Sequence, residues 1–401
     1  MKESFYNINF AYKGKYFIYN TYSNSLIELD KKLDIKDPKF SKVLIENKFL
    51  VSDLREEKKD LYNEIIKEQK NDFTKFEITI MLTNRCNFNC TYCYQQHDTM
   101  ILKRDNTIEL LKYIEEVFSS NVKNIWIHYF GGEPLINKKE ILYIDREVRK
   151  LSDKYNKEYR SYITTNGSLL DEILLKQIKF TRIQFTFDGD KYSHNNFKVS
   201  KNFNYFDLVN KIGKVLTLTE STVIVRLNIC VENKDDFFNV IDDISNLEYF
   251  DKKRILFKIN PLRSNFKEEN YTELSSEEFA EIYWELTKYL QRLRYKIIFP
   301  TKLSGQCGFV TNKAICFGPD LKTRFCSTDL SYEETMDFNK YYNKEYKFEI
   351  PKMCENCKVL PLCLDSCKLL SGSPRNCSVY KYKLIDMLKN YIDNPDNWKI
   401  L

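Results

Sequence analysis

The chain has 401 residues, with 63 lysines and arginines against 57 aspartates and glutamates, and its formal net charge is +6. This small excess is spread over mixed-sign stretches, which argues against nucleic acid as the main partner. No apolar run approaches the roughly 18 residues of a membrane span, and the opening residues lack the apolar core of a signal peptide. We therefore expect a cytoplasmic protein with no membrane segment.

The predicted elements begin with two short β-like runs, residues 8–12 and 15–19, joined by a turn at Lys13 and Gly14. Residues 40–51 read as a helix that gives way to a strand. From residue 76 onward, strands alternate with helical stretches such as 107–118 and 139–154. The six predicted strands are 76–82, 124–130, 159–164, 182–187, 222–230 and 254–259, and two later helices are 275–295 and 379–391. This alternation predicts an α/β fold with a parallel, barrel-like sheet.

Eleven of the twelve cysteines fall into an early and a late group with the spacing of metal ligands rather than of disulfides. The early group is Cys86, Cys90 and Cys93. Three thiolates can hold a four-iron cluster and leave one iron open to a chelating substrate. Tyr92 is placed to shield that iron. A structural zinc site is the alternative, but three close cysteines with no nearby fourth fit it poorly.

This cysteine run, directly after the strand at 76–82, resembles the signature of the radical S-adenosylmethionine (SAM) superfamily. The resemblance implies a partial (β/α)6 TIM-like barrel in which the cluster binds SAM and cleaves it to a 5'-deoxyadenosyl radical. It also implies anaerobic chemistry and a reductant such as flavodoxin or ferredoxin.

Gly131, Gly132, Glu133 and Pro134 follow the second strand of the predicted barrel. Two glycines let the backbone approach a ligand closely, and the glutamate supplies an acceptor for an ammonium group. The run resembles the motif that binds the methionine amino group of SAM in this superfamily. Taken alone, it is equally a turn before a helix.

Further candidate SAM contacts lie at the ends of the next three strands. They are Thr165, Asn166, Asp188, Arg226 and Asn228. The first three belong to turns that resemble those of the peptide- and sulfatase-modifying branch, although helix capping is an alternative role for the Thr165 turn. Period-two alternation puts Arg226 and Asn228 on one face of a strand. If that face points inward, Arg226 pairs with the SAM carboxylate and Asn228 reaches the ribose; an outward-facing pair is the alternative.

The late group contains eight cysteines that resemble the SPASM extension, a module of auxiliary four-iron clusters on peptide and protein maturases. They are Cys307, Cys316, Cys326, Cys354, Cys357, Cys363, Cys367 and Cys377. The resemblance implies one cluster on Cys307, Cys316, Cys326 and Cys367, and another on the remaining four. Spacing alone does not give this pairing, and two zinc sites are the alternative. The family pattern has a glycine where this chain has Leu321, which bears on the geometry of that turn.

The chain is predicted to comprise five segments. They are an N-terminal region at 1–70, a radical SAM core at 71–265, a helical bridge at 266–299, a SPASM domain at 300–380 and a C-terminal helix at 381–401. The first segment loosely resembles a winged-helix element that binds a leader peptide by strand addition, and a cap on the barrel is the alternative.

The combined resemblance implies an oxidoreductase that matures a ribosomally synthesised precursor peptide, with three four-iron clusters, and forms a thioether or carbon-based crosslink. One alternative is an anaerobic sulfatase-maturing enzyme that makes formylglycine. Its family pattern carries an aspartate where this chain has Ser327, so the expected base is missing. An iron–sulfur binding or electron-transfer protein is the alternative of another class.

Overall fold

The chain forms two compact units in a computed structural model. The structure describes residues 1–30, 41–71, 74–95, 97–248, 251–263, 271–302, 307–309, 311–324, 326–328, 332–333, 349–364, 367, 372–374 and 377–399. We call Met1–Asp72, Ser275–Thr311 and Glu345–Leu401 the terminal unit, and Phe73–Leu274 with Asn312–Lys344 the central unit. The boundaries of the five segments stay predictions. No helix in these described ranges has the length and apolarity to cross a membrane.

The elements alternate along the central unit much as the sequence predicts. The strands are β1 Lys2–Glu3, β2 Asn7–Tyr12, β3 Lys15–Asn20, β4 Ser25–Leu29, β5 Leu50–Val51, β6 Lys75–Met81, β7 Asn89–Cys90, β8 Asn124–Phe130, β9 Glu158–Thr164, β10 Arg182–Phe187, β11 Lys198–Val199, β12 Thr222–Ile229, β13 Ile255–Pro261, β14 Ile297–Ile298, β15 Ala314–Phe317, β16 Thr323–Arg324, β17 Tyr332–Glu333 and β18 Trp398–Lys399. The α-helices are α1 Ser41–Glu46, α2 Leu54–Asn71, α3 Arg104–Ser119, α4 Lys138–Tyr155, α5 Glu172–Gln177, α6 Lys191–Phe197, α7 Tyr205–Leu218, α8 Phe237–Ser245, α9 Ser276–Arg292, α10 Leu360–Cys363 and α11 Tyr380–Asp393. Short 3-10 turns lie at Pro134–Asn137, Lys252–Arg254, Lys352–Cys354 and Pro395–Asn397.

One nine-stranded sheet organises the central unit, in the order β13-β12-β10-β9-β8-β6-β15-β16-β17. The strands from β13 to β15 are parallel, and β16 and β17 add antiparallel pairs. The predicted α/β class and its six parallel strands are confirmed. The sequence analysis did not predict β15, which pairs with β6 and contains Cys316.

The two faces of this sheet differ in polarity. On β12, Val223, Val225 and Leu227 are buried, whereas the alternate residues Ile224 and Arg226 are half-buried. The period of two sends the first set toward an apolar layer and the second toward the opposite, more polar face. Amphipathic helices that bury aliphatic side chains, such as α3 and α4, supply the apolar surface that parallel strands require.

The terminal unit contains a three-stranded antiparallel sheet, β2-β3-β4. Lys13 and Gly14 connect β2 to β3 with φ angles of 48° and 75°, the left-handed pair typical of a two-residue hairpin turn. Aromatic side chains of this sheet share one core with the later helices. Its members include Phe10, Phe17, Tyr19, Trp284, Phe299, Leu384, Met387, Leu388 and Trp398. The N-terminal sheet therefore owes much of its burial to residues near the end of the chain.

Leu321 lies in the turn between β15 and β16, where the family pattern has glycine. Its φ is 66°, in the left-handed region, and its amide donates to the Gly318 carbonyl at 3.0 Å. A residue with a Cβ adopts this conformation at a cost of roughly 1–2 kcal/mol. The Leu321 side chain is 8% exposed, so its burial offsets that cost. Leu321 thus adopts the left-handed backbone conformation that glycine usually occupies in a turn.

We expect Leu321→Gly to be more stable than Leu321→Ala by roughly 0.5–1 kcal/mol, with both less stable than the parent protein. Both substitutions remove the buried side chain, but alanine retains the Cβ that the left-handed backbone disfavours. Denaturant titration of the two variants measures the difference. The control pair is Leu286→Gly and Leu286→Ala in α9, where a helical backbone should reverse the order. An alanine variant at 321 as stable as the glycine variant would contradict the strained turn.

Candidate functional site

A loop of the central unit carries the three early cysteines, and we call residues 83–101 the cysteine loop. It starts after β6 and is closed at its base by a bridge between Thr83 and Ile101. Within it, Cys90 pairs across a short ladder with Lys198 of β11. Burial raises the pKa of the Cys86 thiol to about 11 and that of Cys90 to about 12. Without a positive partner such as a metal, both sulfurs therefore stay protonated at neutral pH.

The glycine turn after β8 lies against this loop. The Gly132 amide donates to the Thr83 carbonyl, and the Glu133 amide donates to the Arg85 carbonyl, both at 2.9 Å. A Cβ atom on Gly131 would lie 2.4 Å from the Thr83 carbonyl oxygen, and one on Gly132 would lie 2.2 Å from that of Arg85. Any side chain here would push the two segments apart. The close approach expected of these glycines is thus made to the cysteine loop itself.

Glu133 has no solvent exposure, and its carboxylate accepts three hydrogen bonds. Thr165 Oγ1 donates to Oε1 at 2.8 Å, the Leu135 amide donates to Oε1 at 3.0 Å, and the Asn166 amide donates to Oε2 at 2.8 Å. Burial raises the pKa of Glu133, and these hydrogen bonds oppose the rise. The carboxylate therefore joins the ends of β8 and β9.

The turn after β9 also contacts the cysteine loop. Asn166 Nδ2 donates to Asn87 Oδ1 at 2.9 Å, and Asn87 Nδ2 donates to Ser168 Oγ at 2.8 Å. Asn87 directly follows Cys86, so these amides fix the start of the segment that carries the three cysteines. Thr165 and Asn166 are thus brought together with Glu133 and the cysteine loop.

A second buried carboxylate, Asp188, lies at the end of β10. Tyr92 donates its hydroxyl to Asp188 Oδ2 at 2.8 Å, and Asn228 Nδ2 donates to Oδ1 at 3.1 Å. Lys198 Nζ lies 3.6 Å from Oδ2, and both side chains are almost fully buried. Tyr92 therefore braces the cysteine loop against two strand ends.

Lys198 was missed by the sequence analysis. Its ammonium donates to the Thr186 carbonyl at 2.8 Å, and its backbone pairs with Cys90. Its charge lowers the pKa of Cys90, against the larger effect of burial. The only signal in the sequence is its place ten residues after Asp188, which does not predict the pairing of β11 with the cysteine loop.

Arg226 and Asn228 lie on one face of β12, as alternation predicts. Arg226 Nε donates to Asn228 Oδ1 at 2.8 Å, and Asn228 continues to Asp188. Burial lowers the pKa of Arg226, while Tyr94, Tyr92 and Asp188 act in the opposite direction. The pair faces the cysteine loop, and the outward-facing alternative does not hold.

Two histidines near these strands, His128 and His194, make contacts within the protein that account for their positions. His128 stacks on Tyr162 with ring centroids 3.9 Å apart and contacts Thr164 Oγ1 at 2.9 Å. Burial lowers the pKa of His128 to about 3, so it is neutral at neutral pH. His194 Nδ1 accepts from the Asp188 amide at 3.3 Å. Both rings therefore act as neutral polar groups within the sheet and its loops.

Four late cysteines line one cavity in the terminal unit, and we call them the cavity cysteines. They are Cys354, Cys357, Cys363 and Cys377. The Cys357 amide donates to the Cys354 carbonyl at 3.0 Å, forming the turn that brings these two together. Lys381 Nζ donates to Cys377 Sγ at 3.4 Å, which places a positive charge beside the sulfurs.

The other late cysteines lie in both units. Cys316 on β15 and Cys326 just after β16 are buried in the central unit. Burial raises the pKa of Cys316 to about 12, and nearby Cys326 adds to the rise. Cys307 is exposed and Cys367 is half-buried in the terminal unit. No disulfide joins any of the twelve cysteines.

The cysteines of the loop and of the cavity supply thiolates, the donor type that four-iron clusters bind. Within the ranges that the structure describes, no three His, Cys, Asp or Glu side chains converge as ligands of one metal ion do. In a four-iron cluster each thiolate binds a different iron, so the sulfurs surround a volume instead of a point. Three cysteines on one loop and four around a cavity fit that requirement in number and in donor type.

Comparisons with known proteins show what the central unit is similar to. The family model "Radical SAM superfamily" matches residues 80–244. The radical SAM cyclopropyl synthase TigE of Paramaledivibacter caminithermalis is 29% identical over 209 residues, which cover 46% of this chain and 42% of that protein. The GTP 3',8-cyclase of Clostridium perfringens is 25% identical over 258 residues, covering 61% of this chain and 75% of the cyclase. The chain thus spans less than half the length of TigE.

Two solved structures share the fold. One is native anSMEcpe with bound AdoMet and Kp18Cys peptide, with a TM-score of 0.60 and 15% identity, covering 79% of this chain and 99% of that one. The other is Streptococcus suis SuiB bound to precursor peptide SuiA, with a TM-score of 0.55 and 12% identity, covering 94% of this chain and 99% of SuiB. The matched family model, the parallel sheet and the three-cysteine loop lead to one assignment. The central unit of this chain contains a radical SAM domain over residues 80–244.

Proposed function

We propose that this enzyme matures a ribosomally synthesised peptide and forms a thioether or a carbon-based crosslink within it. The observation that carries the proposal is the set of four cavity cysteines, which gives the chain a second sulfur site beyond the cysteine loop. A radical SAM enzyme needs only three cysteines to cleave SAM. Additional sulfur sites suit a reaction in which the substrate must also give up an electron or bind through a thiolate.

The structural relatives support a peptide as substrate. The titles of the two solved structures name a precursor peptide for SuiB and the Kp18Cys peptide for anSMEcpe. The name of TigE adds cyclopropane formation to the carbon-based outcomes we consider.

The residues proposed to hold the cofactors divide by chemistry. Cys86, Cys90 and Cys93 would ligate the SAM-binding cluster, while the eight late cysteines would ligate two auxiliary clusters in the sets implied by the SPASM resemblance. When bound, the clusters and SAM supply one-electron cleavage of SAM and a radical able to abstract hydrogen from carbon. The reductant is proposed to be a flavodoxin or ferredoxin.

The protein's part is to position SAM. Glu133 holds the turn after β9 against the cysteine loop, so its loss would disturb both a carboxylate near the ligand and the loop itself. Arg226 is proposed to pair with the SAM carboxylate, and Asn228 to contact the ribose. Tyr92, Asp188 and the glycine turn complete the proposed cofactor contacts. Glu133, Thr165 and Asp188 follow the carboxyl ends of β8, β9 and β10, where barrel enzymes place their chemistry.

The N-terminal sheet is proposed to bind the leader part of the precursor. Among the described strands, β4 pairs with β3 on one side and has no strand on the other. An extended peptide can add to such an edge through main-chain hydrogen bonds. A cap on the barrel is the alternative role for residues 1–70.

Formylglycine formation is the second candidate, because anSMEcpe shares the fold. We rank it lower, since Ser327 stands where the sulfatase-maturing pattern carries its aspartate. An electron-transfer protein would have no need of the glycine turn or an open iron site.

Iron content is the first test. We expect about twelve iron atoms per chain after anaerobic reconstitution, from three clusters of four. Replacing Cys86, Cys90 and Cys93 together by alanine should leave about eight iron atoms and abolish SAM cleavage. Four iron atoms with stoichiometric zinc in the parent protein would refute the auxiliary clusters.

The cavity cysteines should separate SAM cleavage from product formation. We expect Cys354→Ala with Cys357→Ala to form 5'-deoxyadenosine but no modified peptide, because the two events depend on different sulfur sites. The assay measures 5'-deoxyadenosine and the mass of precursor peptides encoded beside the gene. A crosslink lowers the peptide mass by about two units, from loss of two hydrogens per bond.

Three outcomes of that assay would contradict crosslinking. They are an aldehyde with loss of sulfur, no mass change with any neighbouring precursor, and 5'-deoxyadenosine formation driven by GTP instead of peptide. The first would favour formylglycine formation.

Glu133→Gln should weaken SAM binding about ten- to hundredfold without loss of iron. The neutral amide removes the negative charge that is proposed to accept from the amino group of SAM. SAM affinity is measured on anaerobically reconstituted protein. The control is Glu140→Gln, another buried carboxylate, which accepts from Arg104 and Thr107 on α3. Unchanged SAM affinity in Glu133→Gln would make the glycine turn purely structural.

A further inference from the structure

Tyr94 connects the cysteine loop to the segment that carries Cys326. It directly follows Cys93, and its hydroxyl donates to the Ser327 carbonyl at 3.0 Å. Ser327 directly follows Cys326. Both residues belong to the central unit, so the contact joins two sulfur-bearing segments of one compact body.

The Cys326 segment is also anchored through the sheet. Cys316 on β15 pairs with Arg324 on β16, and Cys326 lies two residues beyond that pair. β15 runs parallel to β6, the strand that leads into the cysteine loop. The cysteine loop and the Cys326 segment thus extend from the same region of the sheet, near the neighbouring strands β6 and β15. The Tyr94 hydrogen bond connects the two segments beyond the sheet.

The Tyr94 hydroxyl has both of its hydrogen-bonding roles assigned. It accepts from Gln95 Nε2 at 3.4 Å while it donates to Ser327. These two contacts hold the hydroxyl between its own loop and the Cys326 segment.

We propose that Tyr94 is a positioning residue that fixes the Cys326 segment relative to the cysteine loop. The consequence for catalysis rests on the proposed function, in which SAM cleavage and product formation use different sulfur sites. A misplacement of about 1 Å can cost about a hundredfold in rate even when it arises far from the reacting atoms. Loss of the tether should therefore lower product formation more than SAM cleavage.

The direct test is hydrogen–deuterium exchange on full-length, anaerobically iron-loaded protein. Tyr94→Phe removes only the hydroxyl, and we expect exchange at residues 326–328 to be about two- to tenfold faster. The control is Tyr159→Phe, which removes another half-buried hydroxyl that donates to Asp145 at 2.9 Å. Two results for Tyr94→Phe would overturn the proposal. One is unchanged exchange at residues 326–328, and the other is an equal rise in exchange in β8, which would indicate general loosening of the central unit.

The second readout is the ratio of modified peptide to 5'-deoxyadenosine. We expect Tyr94→Phe to lower this ratio at least twofold with unchanged iron content, and Tyr159→Phe to leave it at the parent value. A faster exchange with an unchanged ratio would overturn the catalytic role of the tether. Because exchange needs no peptide, failure of the peptide-maturase proposal is recognised separately, by absence of any product in the parent enzyme.

Discussion

Burial of the Glu133 carboxylate is the constraint on which the proposed SAM site depends. A carboxylate removed from water is costly unless donors surround it, and here the donors come from the turn after β9 and from the start of the next helical turn. Satisfying this one group therefore fixes the ends of two adjacent strands. The glycine turn that precedes Glu133 lies so close to Thr83 and Arg85 that the cysteine loop must follow its position.

Asp188 repeats this arrangement on the other side of the loop. It gathers Tyr92, Asn228 and Lys198, so that hydroxyl, amide and ammonium donors from three segments meet one carboxylate. A loop held at two places by buried anions has little freedom to change the spacing of its thiols. The two carboxylates thus pre-organise the thiols of the loop, which would reduce the ordering cost of binding a cluster there.

Much of the fold and of the candidate site was predictable from local sequence, and the elements that were missed share one physical cause. Apolar runs gave the six parallel strands, and the glycine turn and the cysteine spacing gave the centre of the candidate site. Lys198 and β15 were not predicted, because each depends on pairing with a segment that is distant in the sequence. Lys198 pairs with Cys90, and Cys316 of β15 pairs with Thr79 of β6. Neither pairing has a signature within a short window. The partners of Glu133 were likewise hidden, since a carboxylate in a turn gives no indication of its burial.

The terminal unit is assembled from both ends of the chain, and this has a consequence for biosynthesis. Phe10, Phe17 and Tyr19 pack with Leu384, Met387 and Leu388 of α11, more than 350 residues later. During translation, at about 5–20 residues per second, the N-terminal sheet emerges many seconds before these partners exist. Over that interval the sheet lacks the α11 side chains that complete its core. The last described strand of the central unit ends at Glu333, before α11 is made, so its sheet can form while the terminal unit still waits for its core.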